Sequence, residues 1–271
     1  MIKIYKRLND YNILQKMIEN TFNVGLISET LECCDLNDDI QSVSISMSEK
    51  GYDCIGVKNE SDVIGYAIKE MIQNNRNGIS YNKFTKDDLI SSNTSLIKVI
   101  ELLSKRPFVF VLDGTKVDKI VTKADCYKDA VRIYIYNMIS NFELLLSILL
   151  EYVYREKDWQ ELITTNRLDS IKNVYQDRVK DNSELTLFDC LMLEDKITLL
   201  LKDEQAWKIF ELSKNNLKKY FGDLKTIRNS VAHVGNKPVV TNTDMIIEVV
   251  TSTFRFSNVL KTHITTSMKL N

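Results

Sequence analysis

Three residues near the end of the chain combine a permanent cation, an amide and a titratable ring. Arg228 is followed directly by Asn229, and four residues separate Arg228 from His233. On a helix, Asn229 and His233 lie about 40° apart and share a face, with Arg228 beside it. His changes charge near neutral pH, Arg stays charged, and Asn donates hydrogen bonds. The spacing predicts a phosphate-handling site near a helix C-terminus, since Gly235 and Pro238 follow.

The segment LKTIRNSVAHVGNKP (224–238) resembles the signature of the HEPN (higher eukaryotes and prokaryotes nucleotide-binding) superfamily. That signature is an Arg, usually followed by a polar residue, and a His separated from the Arg by four to six residues, in an all-α domain. Residues 115–221 contain neither glycine nor proline, which favours long helices. The resemblance covers about residues 127–271. The predicted helices are 127–156, 160–180, 186–202, 204–221 and 243–269.

The HEPN resemblance implies a metal-independent endoribonuclease of toxin or defence type. The 2′-hydroxyl of RNA would attack the adjacent phosphate while His233 moves a proton, Arg228 stabilises phosphorane charge and Asn229 orients the phosphate or His233. RNA is then the substrate, a homodimer brings two motifs into one cleft, and an antitoxin or defence protein is a further partner. The alternatives are a non-catalytic, nucleotide-responsive scaffold whose helical domain binds a protein or RNA, and a structural Arg–Asn node with a capping His.

Thr122 and Asp125 form a second candidate site in the segment IVTKAD (120–125). A hydroxyl at a strand end and a carboxylate in the following helical turn can converge on a ribose diol, because a carboxylate accepts strong hydrogen bonds. The helix N-terminus would attract a phosphate. The alternative is structural: Thr122 is an N-cap and Asp125 an acid in the first turn.

An internal repeat gives this second site its context. The segment CIGV (54–57) aligns with FVFV (108–111) at an offset of 54, and an amphipathic helix precedes each. The pattern over about residues 24–128 resembles a tandem CBS (cystathionine-β-synthase) domain pair. This resemblance implies an adenosyl-type regulatory nucleotide, held by Thr122 and Asp125 with Phe108 and Val109. The first copy has Ile68 and Met71 at the positions of Thr122 and Asp125, so it lacks the ribose-binding pair.

The overall prediction is an α+β CBS-like pair followed by an all-α HEPN-like domain. The first domain is expected to cover residues 1–125 and the second residues 126–271. Within the first domain, a helix over residues 8–22 is expected to pack on the CBS-like pair. An unbroken helix from Asp125 to Arg155 is expected to join them. Lys+Arg total 36 and Asp+Glu 37, so the net charge of −1 excludes a general nucleic-acid coat protein and makes any RNA contact local.

The cysteine and hydropathy patterns favour a reducing cytoplasm and no membrane span. The 5 cysteines are odd in number, and no spacing suits zinc, so free thiols are expected, including the Cys33–Cys34 pair. No apolar signal core begins the sequence. The apolar stretch 133–154 contains Asn and Glu residues and is predicted to be a helix buried in protein. No metal site is predicted, Glu143 and Asp223 are weak accessory candidates, and His263 is expected at the surface.

Overall fold

The computed structural model describes residues 2–75, 78–181, 184–232 and 242–269. The helices are α1 (Ile2–Thr21), α2 (Ile40–Lys50), α3 (Lys69–Asn74), α4 (Leu96–Leu103), α5 (Asp129–Val153), α6 (Thr165–Arg178), α7 (Leu193–Lys202), α8 (Glu204–Lys208), α9 (Lys214–Ala232) and α10 (Thr243–Lys269). The strands are β1 (Glu29–Thr30), β2 (Cys33–Asp35), β3 (Cys54–Asn59), β4 (Asp62–Ile68), β5 (Leu89–Ser91), β6 (Phe108–Asp113) and β7 (Lys116–Thr122). The chain divides into two compact units, one of residues 22–131 and one of residues 1–21 with 132–271.

The α+β unit, residues 22–131, repeats its strand pairing at the predicted offset. Strands β3 and β4 pair antiparallel from Cys54↔Ile68, and β6 and β7 pair antiparallel from Phe108↔Thr122. Both hairpins carry a register shift at the same place, after Val57 and after Val111. The sheet orders are β2-β3-β4 and β1-β7-β6-β5, with a parallel strand beside each hairpin. The predicted repeat is therefore confirmed for the two hairpins, whereas β5 follows β2 at an offset of 56 residues.

The inner faces of the two sheets meet in an apolar layer. Phe110 is buried there and lies among three further aromatic rings, Tyr66, Phe84 and Phe108, with ring centroids 4.8, 4.9 and 5.4 Å away. A second cluster packs α2 and α3 on the first sheet. Since each aromatic ring buries a large apolar area, this layer holds the two copies together.

Gly65 is a position where close packing requires a glycine. It lies inside β4, where a Cβ atom would come within 2.2 Å of the backbone oxygen of Asn82. Tyr66 and Asn82 form an isolated β-bridge at this point. Glycine is needed because another backbone segment passes directly over the strand.

The helical unit packs around α5, whose apolar residues are mostly buried. Phe142 of α5 lies 6.3 Å from Tyr220 of α9, and Tyr220 lies 4.8 Å from Phe256 of α10, measured between ring centroids. The Tyr220 hydroxyl and Thr253 Oγ1 are 2.8 Å apart, which pairs a buried polar group. By length and composition α5 could span a bilayer, but 67% of its most apolar window is buried inside the unit. The prediction of a helix buried in protein is confirmed.

Helix α1 belongs with the helical unit rather than with the α+β unit. Arg7 forms an ion pair with Glu151 of α5, and the Lys261 ammonium lies 6.0 Å from the ring centroid of Tyr11. Burial raises the pKa of Tyr11 to about 12, although a hydrogen bond with Ser257 lowers it. The expected assignment of residues 1–21 to the N-terminal domain is therefore corrected, because Tyr11 and Arg7 of α1 contact helices of the helical unit.

The expected continuous helix over 125–155 is interrupted at Lys128. A short 3-10 turn covers Lys123–Tyr127, and Lys128 then adopts an extended conformation with φ −64° and ψ 149° before α5 begins at Asp129. The Lys128 ammonium contacts Asp125, Glu29 and the Ile27 carbonyl. These contacts favour the extended residue over a continued helix.

Two of the predicted helices differ from the observed ones: one starts later than predicted, and the other is divided in two. A 3-10 turn occupies Leu187–Cys190, so α7 begins only at Leu193. The predicted helix 204–221 is divided into α8 and α9 by Glu211, whose φ is +55°. Ser213 then accepts a hydrogen bond from the Asn216 amide and starts α9. The final helix begins and ends as predicted, at 243 and 269.

Candidate functional sites

A cleft of about 690 Å³ lies between the two copies of the α+β unit. It brings together three segments that are distant in the chain: residues 29–32, 50–54 and 107–125. Thr122, Asp125 and Phe108, three of the residues predicted to bind a nucleotide, all line it, and their binding of a nucleotide stays a prediction. Val109 does not line it, because its side chain points into the core and is 1% exposed. The inclusion of Val109 in the site is therefore corrected.

Asp125 is held by its own turn. Its Oδ2 accepts hydrogen bonds from the Thr122 amide at 2.7 Å and from Thr122 Oγ1 at 3.1 Å. Its Oδ1 lies 2.8 Å from Lys128 Nζ, and the side chain is 8% exposed. The capping alternative thus describes the geometry, and a carboxylate oxygen with one ammonium partner keeps one lone pair for a hydroxyl.

Lys128 links two carboxylates at the edge of this site. Burial lowers its pKa, but hydrogen bonds with Asp125 and Glu29 outweigh burial, so the pKa is raised above its ordinary value. Lys128 therefore carries a positive charge at neutral pH. Its single charge is shared between Asp125 and Glu29, so the three groups together keep a net charge of −1.

The cleft holds more carboxylates than ammonium groups. Glu29, Glu32, Asp53 and Asp125 line it. Lys50 and Lys123 also line it, and Lys50 lies 3.5 Å from Glu32. The turn that begins at Thr122 is only 5 residues long, so it does not supply the strong N-terminal field of a longer helix. The arrangement suits a nucleoside with little negative charge better than a polyphosphate.

The first copy contributes residues that the sequence analysis missed. Tyr52, Asp53 and Cys54 line the cleft, whereas Ile68 and Met71 do not. The offset of 54 places Asp53 and Cys54 opposite Pro107 and Phe108, so the repeat contained the signal that would have found them. Tyr52 is half-buried, and the Lys50 ammonium lies 5.6 Å from its ring centroid. Tyr52 and Phe108 are thus two aromatic surfaces on which a base can stack.

The thiols of this unit are free and weakly acidic. Burial raises the pKa of Cys54 to about 12 and that of Cys34 to about 11. Cys33 is half-buried and Cys34 is buried. Protonated thiols are poor nucleophiles, so these cysteines contribute to packing at neutral pH.

In the helical unit, Arg228 and Asn229 lie in the last turns of α9. Arg228 is half-buried and Asn229 is exposed. Neighbouring leucine, isoleucine and aromatic residues of α9 face the core, which sets the orientation of this helix. His233 lies outside the described residues, so its position relative to Arg228 and Asn229 stays a prediction.

The weaker candidates have structural roles or lie elsewhere. Glu143 Oε1 lies 2.8 Å from Lys196 Nζ, so it forms a partly buried ion pair within the helical unit. Asp223 lines a small groove between α9 and α10 together with Lys219 and Arg255. His263 is exposed, as predicted. Among the described residues, no group of three or more His, Cys, Asp or Glu side chains could hold a metal ion. Metal-independent chemistry stays a prediction.

No family model and no curated protein matches the chain. Solved structures of CBS-domain proteins are similar to part of it. A hemolysin-like protein containing a CBS domain from Oenococcus oeni is 18% identical over 43% of this chain and 95% of its own, with a TM-score of 0.34. A CBS-pair protein from Arabidopsis thaliana is 15% identical over 41% and 96%, with a TM-score of 0.33.

A further similar structure is an uncharacterized conserved protein from Pyrococcus horikoshii. It is 18% identical over 39% of this chain and 89% of its own, with a TM-score of 0.32. At these scores the likenesses carry no argument of their own. The two-copy architecture is assigned from the strand registers.

Proposed function

We propose that the protein is a nucleotide-responsive, metal-independent endoribonuclease of toxin or defence type that acts in the cytoplasm. The observation that carries the sensor half is the cleft, which gathers Thr122, Asp125 and Phe108 with residues of the first copy. The effector half is supported by Arg228 and Asn229 on α9 and by the spacing to His233. RNA is the substrate, and an adenosyl-type nucleoside or nucleotide is the regulatory ligand.

The ligand binds with its base between aromatic surfaces and its ribose at the turn. Tyr52 and Phe108 offer faces to the base. A ribose hydroxyl donates to the free lone pair of Asp125 Oδ1, beside Lys128. Because Lys128 is shared between Asp125 and Glu29, a ligand that competes for Asp125 changes the contacts of the residue directly before α5.

RNA cleavage needs proton transfer and charge stabilisation at one phosphate. His233 moves the proton of the attacking 2′-hydroxyl or of the leaving oxygen. Arg228 stabilises the phosphorane oxygens, and exposed Asn229 orients the phosphate. A single imidazole cannot remove one proton and deliver another at the same moment. Two chains related by a two-fold axis supply two imidazoles, so the active species is a homodimer.

Cleavage of single-stranded RNA by purified protein in a chelator tests the effector half. We expect products that end in 2′,3′-cyclic phosphate, and loss of cleavage in His233→Ala and Arg228→Ala. His263→Ala is the matched control, because it removes the chain's other histidine, which is exposed. Strict dependence on added divalent metal would contradict the mechanism.

Mixing the subunits tests the shared site. An excess of His233→Ala chains, allowed to exchange with wild type, should depress activity beyond simple dilution. A stable monomer with full activity would refute the homodimer. A folded dimer that responds to nucleotide and binds RNA but does not cleave it would support the non-catalytic scaffold instead.

Thermal shift measurements with adenosine, AMP and ATP test the sensor half. We expect at least one of these to raise the melting temperature. Tyr52→Ala should abolish this shift, because it removes an aromatic wall of the cleft without touching Asp125. Tyr136→Ala is the control, since Tyr136 is 47% exposed and lies on α5. Equal shifts in both variants would count against the cleft.

A further inference from the structure

Helix α9 carries a strong local charge in a chain whose net charge is −1. It contains four lysines and one arginine but a single aspartate, Asp223. Lys218 and Lys225 are seven residues apart, and Asn229 follows four residues later. These spacings align the three residues on one face of the helix. The aspartate lies off this face, in the groove with Lys219 and Arg255.

The lysines of this face are not used inside the protein. Lys218 is exposed and Lys225 half-buried, and neither forms an ion pair with any residue that the structure describes. Lys214, at the start of the helix, lies within electrostatic range of Glu204 and is not counted in the stripe. The charges of Lys218 and Lys225 are therefore available to an external polyanion.

Gly222 lies between these lysines and has no packing reason to be glycine. A Cβ atom placed there would meet no atom of the described residues within 4 Å, and the residue is exposed in the middle of a helix 19 residues long. Glycine costs about 1 kcal/mol relative to alanine at such a position. No side chain projects from the helix at Gly222, between the two ammonium groups, so a bulky chain can approach the helix axis closely there.

We propose that Lys218, Gly222, Lys225 and Asn229 form a stripe that binds the sugar–phosphate backbone of single-stranded RNA and leads it to Arg228. The stripe spans about 16 Å along the helix. It has no aromatic or aliphatic residue, whereas stable protein interfaces are anchored by such residues. Spread charge with a gap for a bulky backbone suits RNA better than an acidic protein. The inference rests on the proposed ribonuclease function and deepens it.

Fluorescence anisotropy with a labelled single-stranded oligoribonucleotide tests the stripe. The protein carries His233→Ala throughout, so that the probe is not cleaved. We expect Lys218→Glu with Lys225→Glu to weaken binding about tenfold at low salt and to flatten the dependence of log K on log salt by about one per lysine. Lys172→Glu is the control, since Lys172 is exposed on α6 and its reversal changes the net charge equally per residue.

Gly222→Leu gives a second signature that charge alone cannot produce. It should weaken binding at every salt concentration while the salt slope stays as in the parent protein, because it fills space and removes no charge. The melting temperature of Gly222→Leu should not fall, since the added side chain meets open space. Unchanged RNA affinity in both the glycine and the lysine variants would overturn the stripe.

The outcome for the stripe is separable from that for the ribonuclease. Cleavage that persists unchanged in lysine variants that retain His233, with unchanged RNA binding in the His233→Ala background, overturns the stripe and leaves the proposed function intact. Salt-dependent binding that the lysine and glycine variants weaken, in a protein that never cleaves RNA, supports the stripe and contradicts the ribonuclease. Equal affinity for polyglutamate and for RNA overturns the proposal in favour of an acidic protein partner.

Discussion

The turns Thr122–Asp125 and Thr186–Asp189 make the same hydrogen bonds in two different compact units. In each, the Asp Oδ2 accepts from the Thr amide, at 2.7 and 2.9 Å, and from the Thr hydroxyl, at 3.1 and 2.7 Å. Asp125 lies on the cleft of about 690 Å³ beside Lys128, whereas Asp189 lies 3.8 Å from Arg7. The sequence Thr-x-x-Asp therefore forms the same turn in both units, and the residues around each turn determine whether a ligand has access to it.

The largest expected effect separates this shared turn from the chemistry of the helical unit. His233→Ala should reduce RNA cleavage at least about 100-fold, because it removes the group that transfers a proton. Asp189→Ala should change the cleavage rate per folded molecule by less than about twofold, since it removes a cap and a contact with Arg7 but no group of the proposed catalytic site. Initial rates at matched concentrations of folded protein measure both. A large loss of cleavage in Asp189→Ala would contradict a purely structural role for the turn at Asp189.

A third carboxylate, Asp195, binds a cation in addition to its own turn, and it should therefore contribute more to stability than a cap alone. Asp195 accepts from the Met192 amide at 2.9 Å and also binds Arg167 through two hydrogen bonds of 2.8 and 2.7 Å. Arg167→Ala should lower the free energy of unfolding by about 3 kcal/mol, because it leaves a buried carboxylate without its cation. Urea unfolding at neutral pH measures this loss, and Arg178→Ala, on the same helix, is the control.

The same pair predicts a pH dependence. Burial raises the pKa of Asp195, but the hydrogen bond with Arg167 and that with the Met192 amide outweigh it, so the pKa is lowered. A lowered folded-state pKa gives stability that is present above the unfolded pKa and is lost as the pH falls through the folded pKa. Wild type should therefore lose more stability on acidification than Arg167→Ala. Parallel losses would contradict the assignment.

The next effect distinguishes the two turns directly. Asp125→Ala and Asp189→Ala should each lower the stability of the ligand-free protein by about 1 kcal/mol, since each loses a cap. Only Asp125→Ala should also reduce the stabilisation by nucleotide, by about 1.5–3 kcal/mol, because it removes an ionised acceptor of ribose hydrogen bonds. Ile68→Ala, at the equivalent position in the first copy, should cause no such specific loss. Equal ligand shifts in wild type and Asp125→Ala would show that the two turns are functionally alike.

The smallest expected effect concerns ligand charge. With four carboxylates and two lysines lining the cleft, adenosine or AMP should bind about fivefold more tightly than ATP, since the extra phosphate charges of ATP together cost roughly 1 kcal/mol beside a net negative lining. Calorimetric titration measures the ratio. Glu32→Gln should narrow it, while Glu49→Gln, an exposed residue outside the cleft lining, should not. Tighter binding of ATP would contradict the electrostatic assignment.

The repeat in the sequence predicted the strands well because strand pairing repeats with the residues that form it. Cys54 and Phe108 begin equivalent strands, and their partners Ile68 and Thr122 differ by the same 54 positions. The cleft was only partly predicted. Tyr52 and Glu29 reach it because the two sheets face each other, and no local pattern around either residue shows that packing.

Breaks within helices were the least predictable feature of the helical unit. Glu211 adopts a positive φ although glutamate is a good helix former, and Lys128 is extended although nothing before it breaks a helix. In the second case the cause is tertiary: an ammonium that binds Asp125, Glu29 and the Ile27 carbonyl. Helix propensity contributes only tenths of a kcal/mol per residue, so contacts of this kind override it.

The Lys128 contacts also have a topological consequence. Ile27 and Glu29 lie near the start of the α+β unit and Lys128 near its end, so one side chain fastens the entry of this unit to its exit. The helical unit is assembled from residues on both sides of this insertion. A module whose two ends meet can be exchanged for another, or for a short loop, without stretching the host. The α+β unit is thus an inserted domain whose ends lie close together, as an exchangeable insertion requires.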